Sequence, residues 1–288
     1  MATKIWVGTD PGNVGDWGVA ANWSPSGVPV NGDDVFLVDS SQAVTGSLNQ
    51  SAVALTTLNI EQSYTGDIAT VSTFLQIGTV TLRVGFHAGR NRPTGSGRVN
   101  IDLGTTTAAQ AFIIDSKTVP TDTNRSTVRL KANNASTDIF VTGGLVAIAD
   151  DAADTSTIGD INVDEAGNVI IGQGVTLTNA NNDGGTLLLN STPTTLTING
   201  GNVTTQYAGA ITTVTIRGGT FTSNSSGTIT TLNVEGGTVF FDKSQEPRTV
   251  TTTNLENGSI RADETFITFT NAIALSGGGV KSITASKG

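Results

Sequence analysis

Three successive segments of the chain share one ten-residue template. Thr194–Val203 reads TTLTINGGNV, Thr212–Phe221 reads TTVTIRGGTF and Thr230–Val239 reads TTLNVEGGTV, each starting 18 residues after the last. A fourth copy, TTTNLENGSI from Thr251, follows after 21 residues, the extra ones falling around Gln245 to Arg248. Fainter relatives begin at Thr56 (TTLNIEQSYTGDI) and at Ile161 (INVDEAGNVII). A short fixed period means like units stacked on one another, each burying its apolar face against the next.

Within a unit the apolar residues alternate, as Leu196 and Ile198, Val214 and Ile216, Leu232 and Val234, which is the period of a strand with one buried face. A glycine pair then turns the chain: Gly200-Gly201, Gly218-Gly219, Gly236-Gly237. Val203, Phe221 or Val239 opens a second short strand, and Ile211 or Ile229 brings the chain back inward. The expected fold is all-β, a parallel β-helix with coils of about 18 residues rising about 4.8 Å each. The inward steps, seven and then eight residues, favour a right-handed coil over a left-handed hexapeptide helix. A β-sandwich would also supply short strands but leaves the shared template unexplained. Helix is excluded by the density of Thr, Asn, Gly and β-branched residues. Thr194, Thr212 and Thr230 fall at matching positions and can stack as a hydroxyl ladder, although a threonine that simply fits an exposed β-surface accounts for most of them.

Composition narrows the chemistry. Charged residues are 14% and aromatics 5% of 288 residues, with 35 glycines, so the interior must be narrow and built of small and β-branched side chains. With no cysteine there is no disulfide or thiolate metal site, and a single histidine, His87, argues against histidine zinc sites and Ser-His catalysis. No run of about 18 apolar residues exists to span a membrane as a helix. The opening MATKIWVGTDPGNVGDWG lacks the basic and then apolar pattern of a secretory signal. The expectation is a chain that acts where it is made or in a particle assembled there.

All three tryptophans, Trp6, Trp17 and Trp23, lie in the first 23 residues. Large aromatics gathered at one end are what a lid over the first rung needs, since an open solenoid end pairs with other chains. Residues 1–50 are therefore read as a cap with the first coils, and 51–288 as the solenoid, with an irregular, insertion-bearing basic part at 83–131. The run Trp6, Gly15-Asp16-Trp17, Ala20-Ala21-Asn22-Trp23-Ser24, Val28-Pro29 and Gly32-Asp33-Asp34-Val35 resembles the segment that introduces β-helical repeats in autotransporter-like bacterial surface proteins. It is similar also to the opening of phage and prophage virion proteins, which start without a signal peptide. The resemblance covers about 35 residues, implies no catalytic residue, and points to a structural virion protein.

Charge is distributed unevenly. Arg83, Arg90, Arg92, Arg98, Lys117, Arg125, Arg129 and Lys131 face only Asp102, Asp115 and Asp122 over the same stretch, a net +5 inside a chain of net −9. Residues 132–216 then carry no Lys or Arg but eight carboxylates, among them Asp150, Asp151, Asp154, Asp160 and Glu165. Complementary bands of this kind set register and speed association. The residues expected to meet a partner are Arg83, Arg90, Arg92, Arg98, Arg125, Arg129 and Lys131. The overall negative charge opposes nucleic-acid binding. Asp150, Asp151 and Asp154 invite calcium, but their spacing fits neither an EF-hand nor a calcium-binding β-roll, and no metal or cofactor is expected.

Enzymes exist on right-handed β-helices, yet fold does not give function. The equivalent site in successive repeats carries Asn199, Arg217 and Glu235, a mixed column and not the carboxylate pair of a glycosidase. The expected role is accordingly non-enzymatic: a capsid decoration protein on the outer surface of a phage major capsid shell. Its partners would be the major capsid protein and itself, as a homotrimer matching a local shell axis. The alternative is a glycan-binding surface adhesin or a tail-associated receptor binder, in which tryptophans would stack on sugar.

Overall fold

Where apolar residues alternate, the chain extends and stacks, and the parallel β-helix expected from the repeats is the architecture observed. The computed structural model describes residues 1–70, 72–86, 97–105, 107–114, 128–243, 245–263 and 265–286. Among them one 3₁₀ turn, Ala20–Asn22, is the sole helical element. Contacts divide the chain into two units, Met1–Ala149 with Ser156–Ile158, and Asp150–Thr155 with Gly159–Gly288.

The first unit holds β1 (Thr3–Trp6), β2 (Trp23–Ser24), β3 (Asp34–Leu37), β4 (Asn49–Glu61), β5 (Leu75–Phe86), β6 (Val99–Asp102), β7 (Gln110–Ile113), β8 (Val128–Lys131) and β9 (Asp138–Ile148). Strands β1, β3, β4, β5, β7 and the start of β9 pair in parallel in that order, forming one face of the coil. The starts of β4 and β5, then β6, β8 and the end of β9 form another. The inward column of the first face, Val35, Leu58, Leu82, Ala111 and Ile139, is fully buried and wholly aliphatic. Strand β2 pairs antiparallel with β1, which departs from the otherwise parallel order and marks the cap. Residues 87–96 and 115–127 of the basic part lie outside the described residues.

Tyr64 anchors a turn in this unit. Its buried hydroxyl donates to the Gln42 carbonyl oxygen at 2.7 Å, and burial, with the Asp67 carboxylate adding to it, raises the phenol's pKa above the ordinary 10. A raised folded-state pKa stabilises the protein fully below pH 10, and that contribution is lost as pH climbs past 10, where the unfolded chain releases its proton first. In a Tyr207→Phe variant Tyr64 is the sole phenol. Its tyrosinate absorbance is expected to appear only together with loss of the near-UV dichroism; ionisation within an intact fold would contradict this.

The second unit is the regular one. Its strands are β10 (Ser156–Ile171), whose first three residues belong to the first unit, β11 (Val175–Leu189), β12 (Thr195–Thr205), β13 (Ile211–Ile216), β14 (Thr220–Ser223), β15 (Gly227–Val234), β16 (Thr238–Phe240), β17 (Arg248–Leu255), β18 (Gly258–Asp263), β19 (Ile267–Phe269), β20 (Ala274–Leu275) and β21 (Lys281–Ser286). The template repeats stack in register: Leu196 on Val214 on Leu232, Ile198 on Ile216 on Val234, and Val203 on Phe221 on Val239, every one buried. Outward, Asn181, Thr197, Thr215, Asn233 and Asn254 form one column. Asn254 donates to Asn233 Oδ1 at 2.8 Å, and Asn233 reaches Thr215 Oγ1 at 3.4 Å. The side-chain ladder thus runs through amides and hydroxyls, while Thr194, Thr212 and Thr230 stand exposed beside it.

A buried cation interrupts the apolar interior of this unit. Arg248, 2% exposed, donates Nε to the Ser225 carbonyl oxygen at 2.8 Å and Nη2 to the Ser225 hydroxyl and the Ser226 carbonyl oxygen. Burial lowers its pKa from the ordinary guanidinium range to about 10, so it stays charged at neutral pH. The residue closes the stretch that lengthens the fourth repeat. The longer coil is the one that brings a guanidinium inward to satisfy the Ser225–Ser226 turn.

Candidate functional site

The three tryptophans form one cluster. Trp6 stacks on Trp17 with ring centroids 6.4 Å apart, and Trp23 meets both edge-on, at 5.1 and 4.6 Å. All three are at most 2% exposed. Trp6 Nε1 donates to the Gln42 carbonyl oxygen and Trp23 Nε1 to that of Trp17. Asn22, fully buried, ties the loop: its side-chain nitrogen donates to the Asn13 and Asp16 carbonyl oxygens, and its Oδ1 accepts from the Asp10 backbone. Asp33 accepts from the Ala2 and Val30 backbone nitrogens, joining the chain start to β3, and these bonds hold its carboxyl below the usual range against the opposing effect of burial. The polar residues of the segment are thus its internal hydrogen-bonding frame, and no tryptophan face is open to a sugar ring.

The basic residues part company on the coil. Arg83 lies outward on the β1–β9 face, its Nη1 3.3 Å from Asn59 Oδ1. The Arg98 backbone nitrogen donates to Asp67 at 2.7 Å. Arg129 and Lys131 share the other face, both set over the ring of Phe74, at 5.2 and 4.2 Å from its centroid. Arg90, Arg92 and Arg125, with Lys117 and His87, lie outside the described residues.

The register explains the Phe74 site. Asn49, Gln76, Asp102 and Lys131 are Cα partners on four successive rungs, so their side chains stand in one outward column. They line a pocket of about 350 Å³ together with Leu48, Ser72, Thr73 and Phe74. Asp102 is turned partly away, accepting from the Gly104 backbone at 2.9 Å. Arg129 is only 4% exposed, so Lys131, half-buried, presents the charge at the rim. A cation over a ring face gains about 0.5 to 2 kcal/mol, more the less water it keeps, and this helps to hold both heads in place. Carboxamides, hydroxyls and a positioned ammonium can grip a carboxylate, which is recognition without bond chemistry. No periodicity in the sequence joins Phe74 to Lys131; the pairing emerges only from the register.

In the second unit Arg217 bridges Asn199 and Glu235, with Nε 3.0 Å from Glu235, and Asn199 donates to Asp183. This mixed column is stitched together along the rungs. Asp151 and Asp154 close a turn through the Asp154 backbone nitrogen. Among the described residues no group of three His, Cys, Asp or Glu side chains comes together in a way that could hold a metal ion. No family model matches the chain, and no curated protein or solved structure matches it.

Proposed function

We propose that this chain is a structural virion protein, a capsid decoration protein that docks on the outer surface of a phage major capsid shell and ties neighbouring subunits together without chemistry. The observation that carries the reading is the Phe74 pocket, where a rigid sheet face presents Lys131 among amides and hydroxyls, with the neighbouring Asp102 engaged by the Gly104 backbone. That arrangement suits a carboxylate on an acidic protein surface. Two further features support it. The opening segment resembles that of virion proteins and is spent internally, on a lid, which leaves the sheet faces as the surfaces for contact. The stacked rungs hold outward side chains at fixed spacing, so little ordering entropy opposes docking.

Binding to isolated capsids stripped of surface proteins tests this. Lys131→Glu is expected to weaken capsid binding roughly ten- to thirtyfold, about 1.4 to 2 kcal/mol, and to lower its salt dependence. Lys281→Glu, a control in the other unit, should leave it unchanged. A wild-type chain that does not bind capsids, or a Lys131→Glu variant that binds as wild type, removes the proposal.

A further inference from the structure

The outward side chains of the β1–β9 face carry a pattern unlike that of a solvated sheet. Following Cα partners from rung to rung, one column reads Ile5, Phe36, Asn59, Arg83, Phe112, Phe140. Ile5 is 37% exposed, Phe36, Arg83, Phe112 and Phe140 are half-buried, and Asn59 is buried, 3% exposed, beside Arg83. Turned end for end, the column matches itself: apolar, aromatic, polar, then polar, aromatic, aromatic. The neighbouring outward column, Thr3, Asp34, Thr57, Thr81, Gln110, Asp138, also reverses well, with threonine meeting threonine at the centre.

The relief of the face is complementary as well. At the Ile5 end lies a groove of about 640 Å³ lined by Ile5, Val7, Phe36 and Val38 together with polar residues that include Asp39 and Glu61. At the other end Phe112 and Phe140 stack, 5.0 Å between centroids and 13° between planes. We propose that this face is a two-fold interface with a second copy of the chain, in which each copy's Phe112–Phe140 pair enters the other's groove.

An axis between the third and fourth rungs sets Ile5 of one copy against Phe140 of the other, and Phe36 against Phe112. The same operation decides the charges. Arg83 comes opposite the rung of the buried Asn59 and not a second Arg83, and Asp34 comes opposite Gln110 and not another carboxylate. Each polar group thus faces an uncharged partner, which is what an isologous contact needs to avoid like-charge repulsion. Two sheets packed at about 10 Å cover their facing side chains. Five rung steps of about 4.8 Å make the face about 24 Å long, and two outward columns make it about 10 Å wide, so it covers roughly a few hundred Å², well under the ~800 Å² a partner contributes to a standard interface; the dimer is therefore weak and dissociates in the micromolar range. The pairing is two-fold, a different symmetry from the trimer expected from sequence, and it stands whether or not a capsid is bound.

Sedimentation velocity from about 5 to about 300 µM reads the association directly. Wild type is expected to pass reversibly from monomer to dimer. Ile5→Lys and Phe140→Glu should each weaken the dimer more than tenfold, and the double variant, which places Lys against Glu twice, should recover to within about fivefold of wild type and become salt-sensitive. Gln110 is exposed and replaceable without touching the core. Gln110→Lys, facing Asp34 of the other copy, should tighten the dimer, and Gln110→Glu should loosen it. A wild type monomeric throughout, a three-copy species, or Gln110 variants that do not move the equilibrium would overturn the proposal.

Discussion

Gly219→Ala is expected to cost at least about 3 kcal/mol and to leave the second unit unfolded or severely destabilised at 37 °C. Two independent penalties coincide at this residue. Its φ is +70°, where an alanine pays about 1 to 2 kcal/mol for its Cβ. An alanine Cβ would also collide with the Gly201 carbonyl oxygen and sit 2.6 Å from the Gly200 carbonyl carbon. Both atoms are backbone of the adjacent coil, itself locked in register, and cannot move aside without breaking the rung. The column repeats the problem: a Cβ on Gly237 would lie 2.5 Å from the Gly219 carbonyl oxygen. Gly104→Ala separates the two effects, because Gly104 has φ +61° but nothing within 4 Å of a built Cβ. That variant should lose only about 1 to 2 kcal/mol. Urea titration followed by far-UV dichroism compares them; equal losses at the two positions would mean that rung contact contributes nothing and conformational strain alone explains the glycine pairs.

The same glycine column shows why the second unit is legible from sequence and the first is not. From β12 to β16, partner residues such as Leu196, Val214 and Leu232 are 18 apart, so identical chemistry recurs at one offset. On the first unit's face, Ile5 pairs with Phe36, Phe36 with Asn59, Asn59 with Arg83, Arg83 with Phe112 and Phe112 with Phe140, at separations of 31, 23, 24, 29 and 28 residues. Each strand core is as regular, but loops of unequal length erase the period. The outward aromatic column is invisible for that reason. The basic stretch is divided for a related one: its residues are dealt to different faces, so Arg83 stands between Asn59 and Phe112 while Arg129 and Lys131 gather on Phe74. Arg248 is hidden because a basic residue at a strand start reads as solvent-facing, and only the neighbouring serine carbonyls reveal that it turns inward.

The cap carries the second large effect. Trp17→Ala is expected to destabilise the first unit by about 3 to 5 kcal/mol, a large share of the ~5 to 15 kcal/mol that holds a typical domain. Trp17 is fully buried between Trp6 and Trp23, and its carbonyl oxygen accepts the Trp23 indole N–H at 2.8 Å. Truncation leaves a cavity that the loop cannot fill, since Asn22 and the Trp17–Gly46 backbone bond at 3.1 Å fix its path. The ring contacts add about 0.5 to 1.5 kcal/mol per pair beyond burial. Trp17→Phe should cost much less, because Trp17 Nε1 is buried without a hydrogen-bond partner and its loss orphans nothing. Trp23→Phe, by contrast, strips the Trp17 carbonyl oxygen of its donor, and it should fall between the two. The order of the three urea midpoints is the readout, with Trp17→Phe highest, Trp23→Phe next and Trp17→Ala lowest. A Trp17→Ala protein that unfolds within about 1 kcal/mol of wild type would mean the cluster is not a lid, and the tryptophans would again be free to serve a ligand.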